Sequence, residues 1–273
     1  MFEPIKTSLK RSHFIVEVVR TIRAGILDLK VVYWLLLRGP SIRRYLHNNQ
    51  IKKLQIGTSK SYMPGWLNTD LVPKNRTVIY LDASRRFPFR DDQFDYAFSE
   101  HMIEHINYNG CLFMLRECFR VLKPGGKLRL ATPNLEILLG LYSKGKTAAQ
   151  ERFLDWVVGR NLPGVSAHKD VFVINNAFRA WGHMFLYDRN VLETALVEAG
   201  FQGLKFYKPG ISDDECLRGI ETHGDVIGSE EINQFETLVV ECSVPEHKEK
   251  HCKSTSPGCV QGSKRVTRES TYA

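Results

Sequence analysis

The residues best placed to do chemistry lie in Ser99-Glu100-His101-Met102-Ile103-Glu104-His105, directly after Phe94 to Ser99, a run that reads as a buried strand. In open α/β sheets the loops leaving the carboxyl ends of strands hold the ligand, so a site is expected at this corner. His101, Glu104 and His105 spell H-x-x-E-H, and on a helix the two imidazoles would share a face and could hold zinc. Context opposes that reading: the motif follows a strand, and Asn107-Tyr108-Asn109-Gly110 breaks any long helix. Glu104 and His105 are therefore read as capping and packing the turn, and no metal ligand is assigned. His101 is the candidate for proton transfer, since imidazole has an unperturbed pKa of about 6.5. A wall residue that only hydrogen-bonds a ligand is an equal alternative. His183, in Trp181-Gly182-His183, is a second candidate catalytic residue, and Asp213 and Asp214 are weaker ones from loops able to close over a ligand.

These residues need a scaffold, and alternating strand and helix patterns supply an α/β one with a largely parallel sheet. Strands are predicted at Lys53 to Gly57, Trp66 to Leu71, Thr77 to Ala83, Phe94 to Ser99, Lys127 to Ala131, Leu204 to Tyr207 and Phe235 to Cys242. Helices are predicted at Asn109 to Leu122, Leu135 to Tyr142, Ala148 to Val158 and Asp188 to Ala199, with Gly200 as the last one's stop. Ahead of the sheet, Ile15, Val19, Ile22, Ile26, Leu29, Tyr33 and Leu36 recur at spacings of four and three, which marks a helix over Phe14 to Leu37 with one apolar seam. Gly39-Pro40 is expected to stop it, and Ser41 to Gln50 to link it to the sheet. Two uses of the seam stay open: packing on the domain or a second subunit, and peripheral contact of residues 14–37 with an anionic membrane.

Charge is unevenly placed. The chain carries a net +8, but residues 1–53 hold 11 Lys/Arg against 3 Asp/Glu, and the tail from His247 holds 6 against 2. The basic balance belongs to the two ends, so no nucleic-acid groove is expected in the core. Six cysteines without C-x-x-C spacing or a secretory signal fit a reducing cytoplasmic compartment, with Cys252 and Cys259 read as incidental thiols of a disordered tail. No stretch reaches the roughly 18 apolar residues a membrane span requires.

The order F-P-F (Phe87 to Phe89), F-D (Phe94-Asp95), a short strand, S-x-H, E-H and then V-L-K-P-G-G (Val121 to Gly126) resembles the class I S-adenosylmethionine-dependent methyltransferases of the type 11 kind. Pro64-Gly65-Trp66-Leu67-Asn68-Thr69-Asp70 is similar to a contracted P-G-W-x-N-x-D connection in a subgroup of predicted methyltransferases, and the likeness runs over about residues 52–244. The resemblance implies a Rossmann-like methyltransferase fold: a mostly parallel seven-stranded sheet with an antiparallel last strand beside the fifth, and helices on both faces. It divides the chain into an N-terminal amphipathic helix and linker (1–50), a methyltransferase domain (51–245) and a disordered basic tail (246–273). It implies S-adenosylmethionine as cofactor, held by Gly57 and Thr58 of the glycine loop, Asp70 at the ribose, Asp82 and Ala83 at the adenine, and Ser99 and Glu100 beyond the fourth strand. The loop departs from the family's D/E-x-G-x-G, with Gln55 at the acidic position and Ser59 at the second glycine.

The leading expectation is methyl transfer to an oxygen or nitrogen of a small-molecule or glycan-like acceptor, with His101 or His183 as base. A catalytically silent member of the fold, serving as a binding or scaffold protein, is the alternative, supported by Gln55 and Ser59. A dinucleotide oxidoreductase is disfavoured because no G-x-G-x-x-G opens a long first helix. Oligomeric state is not legible in the sequence.

Overall fold

The structure, a computed structural model, describes residues 29–59 and 61–247. Residues 14–28 of the amphipathic segment, the tail from residue 248, and Cys252 and Cys259 lie outside the described residues. Seven strands, β1 (Lys53–Ile56), β2 (Leu67–Asp70), β3 (Ile79–Tyr80), β4 (Phe94–Glu100), β5 (Leu122–Pro133), β6 (Gln202–Tyr207) and β7 (Thr237–Ser243), form one sheet in the order β3-β2-β1-β4-β5-β7-β6. The first five pair in parallel, and β7 runs antiparallel to both β5 and β6. This is the expected sheet, with the last strand inserted beside the fifth. The order reverses between β1 and β4, the switch point at which ligands bind in open sheets.

Eight α-helices accompany the sheet among the described residues, α1 (29–48), α2 (Tyr108–Val121), α3 (Leu135–Gly140), α4 (Ala148–Asn161), α5 (Asp170–Arg179), α6 (Arg189–Glu198), α7 (His223–Ile227) and α8 (Glu230–Glu236), and a short 3-10 helix spans Ile103–His105. No helix among the described residues is long and apolar enough to cross a membrane. Helix α1 runs through Gly39-Pro40, where the sequence predicted a stop. Tertiary docking outweighs the local breaker: Ile42 is buried in the main core, Leu46 packs against it, and the Tyr45 hydroxyl accepts from the Lys53 N–H at 2.8 Å. Before the proline the seam faces outward, with Leu29, Tyr33 and Leu36 exposed.

Helix α2 passes directly into β5, which begins ahead of the strand predicted from Lys127 and takes in Pro124-Gly125-Gly126, with Gly125 at φ +73°. The connection from β1 to β2 contains no helix among the described residues. Asn68 holds it instead: its side chain accepts from the Met63 N–H and its amide lies 2.9 Å from the carbonyls of both Met63 and Trp66. Trp66 closes the turn by packing edge-on against Phe98.

Phe87 and Phe89 are core residues, and Glu117 and Arg120 of α2 lock their turn. The Glu117 carboxylate accepts from the Phe87 N–H at 2.6 Å and from Arg120, which also donates to the carbonyls of Phe87 and Phe89. Burial opposes the charge on Glu117, but the bonds from Arg120 and Phe87 outweigh it and hold the carboxyl below its ordinary range. A lowered folded pKa means that this stabilisation is present above the unfolded value of about 4.5 and is lost as pH falls through the folded one. Glu117→Gln is expected to cost roughly 2–3 kcal/mol at neutral pH and to flatten the acid side of the stability profile. Urea unfolding from pH 3 to 7 checks both.

Candidate active site

A cavity of about 430 Å³ opens at the carboxyl ends of β1 and β4. The sheet side is formed by Gln55, Gly57, Thr58, Ser59, Glu100 and His101, and the opposite side by apolar residues of the helical cap, among them Leu138, Phe153, Trp156, Val173 and Ile227. That cap has its own apolar cluster, built from α3, α4, α5 and α8.

The loop after β1 is fixed by backbone geometry. Gly57 sits at φ +77°, and a Cβ there would overlap the Met102 side chain, with Met102 Cβ only 2.8 Å away. The N–H groups of Gly57 and Thr58 both donate to the Thr69 carbonyl at 2.9 Å. Ser59, where the family carries its second glycine, also adopts a positive φ, +49°. Its N–H donates to Asp70 Oδ2 at 2.7 Å, so Asp70 holds the loop, while Oδ1 accepts from Val72 N–H. Gln55 is buried and its amide donates to the Ser61 carbonyl at 2.8 Å, bracing the loop from within.

Of the predicted site residues, Gly57, Thr58, Glu100, His101 and His183 line this cavity, and Asp70 reaches it through Ser59. Ser99 sits at the same strand end, but it is buried and its hydroxyl donates to the Ile56 carbonyl at 3.0 Å. Asp82 and Ala83 follow β3, one strand further out, where Leu81 N–H bonds Asp70 O. There the Asp82 carboxylate accepts from the Ser84 N–H and hydroxyl and pairs with Arg85, as a turn cap does. Asp213 and Asp214 pair with Lys205 and Lys127, and neither lines the cavity.

Glu100 clamps the chain ahead of α7, accepting from the Thr222 N–H and hydroxyl and from the His223 N–H, each at 3.0 Å. That clamp lays the His223 ring on His101, with centroids 3.6 Å apart and planes 16° apart. His101 itself has φ +44°, a sparsely populated region for a non-glycine residue, with its N–H bonded to Ala131 O at 2.9 Å. Burial disfavours the imidazolium, yet Glu104, with Glu236 and Glu100, more than offsets it and raises the His101 pKa above its ordinary value. Glu104 is fully buried: burial alone would raise its pKa, and His101 and His105 bring it below the usual range instead. Burial lowers the pKa of His183, whose Nδ1 lies 2.7 Å from the Ala177 carbonyl and donates to it.

Helix α5, His223 and the apolar half of the cavity were not predicted. Val173 and Ala177 carry the helical spacing of four, but α5 is short and has no capping side chain to announce it.

Residues 62–130 match the model of a family described as Methyltransferase domain, type 11. No curated protein matches the chain. Solved structures with a similar fold include a methyltransferase from Archaeoglobus fulgidus at 14% identity, covering 77% of this chain and 94% of that one with a TM-score of 0.41. Another from Mesorhizobium loti is 17% identical, covering 76% and 97% with a TM-score of 0.41. The phosphoethanolamine N-methyltransferase 2 of Haemonchus contortus, in complex with phosphomonomethylethanolamine and S-adenosylhomocysteine, is 16% identical, with 72% of this chain covering 50% of that one and a TM-score of 0.39. The sheet is that of the Rossmann-like methyltransferase fold. The family match is to a methyltransferase domain and covers the segment from the β1–β2 connection into β5.

Proposed function

We propose that the chain is an S-adenosylmethionine-dependent methyltransferase acting on an oxygen or nitrogen of a small acceptor. The observation that carries this reading is the loop Gly57 to Ser59, held by Asp70 at the mouth of a cavity at the sheet's switch point. Such a volume suits one cofactor and a small acceptor part. When bound, the cofactor supplies a methyl group activated by a sulfonium; the chain's task is alignment and exclusion of water.

Each oxygen of Asp70 already accepts one backbone N–H and keeps a lone pair for a ribose hydroxyl. The positive φ at Ser59 favours the enzyme over the silent-scaffold reading, because the position adopts the left-handed backbone that glycine takes readily although the residue is not glycine. His101, with its raised pKa, suits hydrogen-bond donation better than proton removal near pH 7. His183 is the neutral imidazole, with its lone pair at Nε2 free to accept. The apolar cap side, with Trp156 and Phe153, favours an acceptor with an apolar or ring-faced body, glycan rings included.

Calorimetric titration with S-adenosylmethionine, S-adenosylhomocysteine and NAD tests the reading. The first two are expected to bind at one per chain and NAD not to bind. Asp70→Ala is expected to weaken S-adenosylhomocysteine by about 1.5–3 kcal/mol. Unchanged affinity in a folded variant rejects the ribose role, and absence of binding to the parent protein rejects the function.

A further inference from the structure

Glu104 is an anion with no exposed surface, and its surroundings under-satisfy it. Oε2 accepts from the Thr132 hydroxyl at 3.0 Å, whereas Oε1 has no hydrogen-bond partner in good geometry; its nearest cation is His101 Nδ1 at 3.3 Å. A buried carboxylate oxygen left in this state calls for a further positive partner.

Two imidazoles stand beside it. Donor atoms of Glu104, His105 and His183 all lie within 4.8 Å of one another, and all three residues line the cavity. The His105 and His183 ring centroids are 5.0 Å apart, with the planes at 71°. The loop carrying His183 is tied to Glu104 through the Met184 N–H, which donates to the Glu104 carbonyl at 2.7 Å. His183 Nδ1 donates to Ala177 O, which fixes the tautomer and leaves the lone pair on Nε2. Histidines that bind metal are held in this way, with the second ring nitrogen bonded to a carbonyl or carboxylate, and ligating carboxylates are themselves hydrogen-bonded, as Thr132 bonds Glu104.

We infer that Glu104, His105 and His183 bind one divalent transition-metal ion, of the zinc or cobalt kind, at the cavity wall. Two imidazoles and one carboxylate are a donor set for such ions, and three protein ligands leave a coordination position open. Metal bonds of about 2.1 Å place tetrahedral ligands about 3.4 Å apart, so small side-chain rotations close the shell. The set differs from the one that the H-x-x-E-H spacing suggests. His101, at its positive φ, stacks on His223 instead, and the third ligand comes from the segment between α5 and α6. An open position facing the cavity would hold an oxygen of the acceptor and lower its pKa, sparing the site a strong base. That role rests on the methyltransferase reading, whereas metal binding does not.

The full chain, stripped with a chelator, is titrated with Co2+ and Zn2+ by calorimetry, and Co2+ coordination is read from its visible absorption. One ion per chain is expected, with a low-coordinate cobalt spectrum. His105→Ala and His183→Ala should each weaken binding at least about tenfold, while His47→Ala, on the exposed end of α1, should leave it unchanged. Glu104→Gln should abolish binding, and if it fails to fold the two histidine variants carry the test. No stoichiometric ion, or affinity unmoved by both histidine variants, overturns the inference. S-adenosylhomocysteine titration of the stripped protein is read separately. Cofactor binding without metal binding refutes this site alone, and metal binding without cofactor binding refutes the methyltransferase reading alone.

Discussion

Replacing Arg129 with alanine is expected to cost about 3–5 kcal/mol of stability. The guanidinium has no exposed surface and sits in β5 directly opposite Glu241 of β7. It bonds Glu241 and Glu221 and donates to the Ile211 carbonyl at 2.9 Å. Its removal strands two carboxylates, with side chains only 2% and 9% exposed, without a cation. Arg129→Met with Glu221→Gln and Glu241→Gln should recover much of the loss, since an ion cluster replaced whole costs far less than one broken. Urea unfolding of the single and triple variants measures this, and a single-variant cost below about 1 kcal/mol, the range of an exposed pair, would refute it. The cluster also reaches the site. Glu221 accepts from the Gly210 N–H and directly precedes Thr222 and His223, which Glu100 clamps, so Arg129→Ala should also loosen the His223 ring stacked on His101.

Arg129 shows where sequence reading runs out. In Lys127-Leu128-Arg129-Leu130-Ala131 it alternates with apolar residues, as a solvent-facing position would, and only the distant acids of β7 and the 210–221 loop reveal that it is buried. Most of the strands were legible because buried apolar residues recur in short segments between turn signals, as in β1, β4 and β7, and the strands carry Gly57, Asp70 and Glu100 to one rim. Gly39-Pro40 misled because local breakers speak only of the chain around them, while Ile42 and Tyr45 answer to a sheet that begins later. The site's second half was hidden for the same reason. His223 meets His101, and His183 meets Glu104, across long stretches of chain, and periodicity says nothing about which loops come together over a sheet edge.

Gly57→Ala should be the most damaging change in the loop after β1, and Ser59→Gly, two residues on, one of the mildest. At Gly57 two costs add: a side chain at φ +77° is disfavoured by roughly 1–2 kcal/mol, and overlap with Met102, whose Cβ would lie 2.8 Å from the new methyl group, adds on the order of 1–3 kcal/mol. Met102 cannot simply swing away, because its Cβ as well as its outer atoms meets the intruding carbon. Relief must come from the loop, whose Gly57 and Thr58 N–H groups share the Thr69 carbonyl and whose Ser59 N–H is held by Asp70. The expected result is a weakening of S-adenosylhomocysteine binding by at least about tenfold, with a lower melting temperature if the loop stays in place. Ser59→Gly removes a side chain from a residue already at φ +49°, so it should leave stability unchanged or raised and retain binding. Calorimetric titration and thermal unfolding of the two variants read both quantities. If Gly57→Ala binds as the parent does, this loop is not where the cofactor lies, whatever the sheet order suggests. If Ser59→Gly alone loses binding, the serine side chain contributes a contact of its own, and the departure from the glycine pattern is a specific feature of this chain's site.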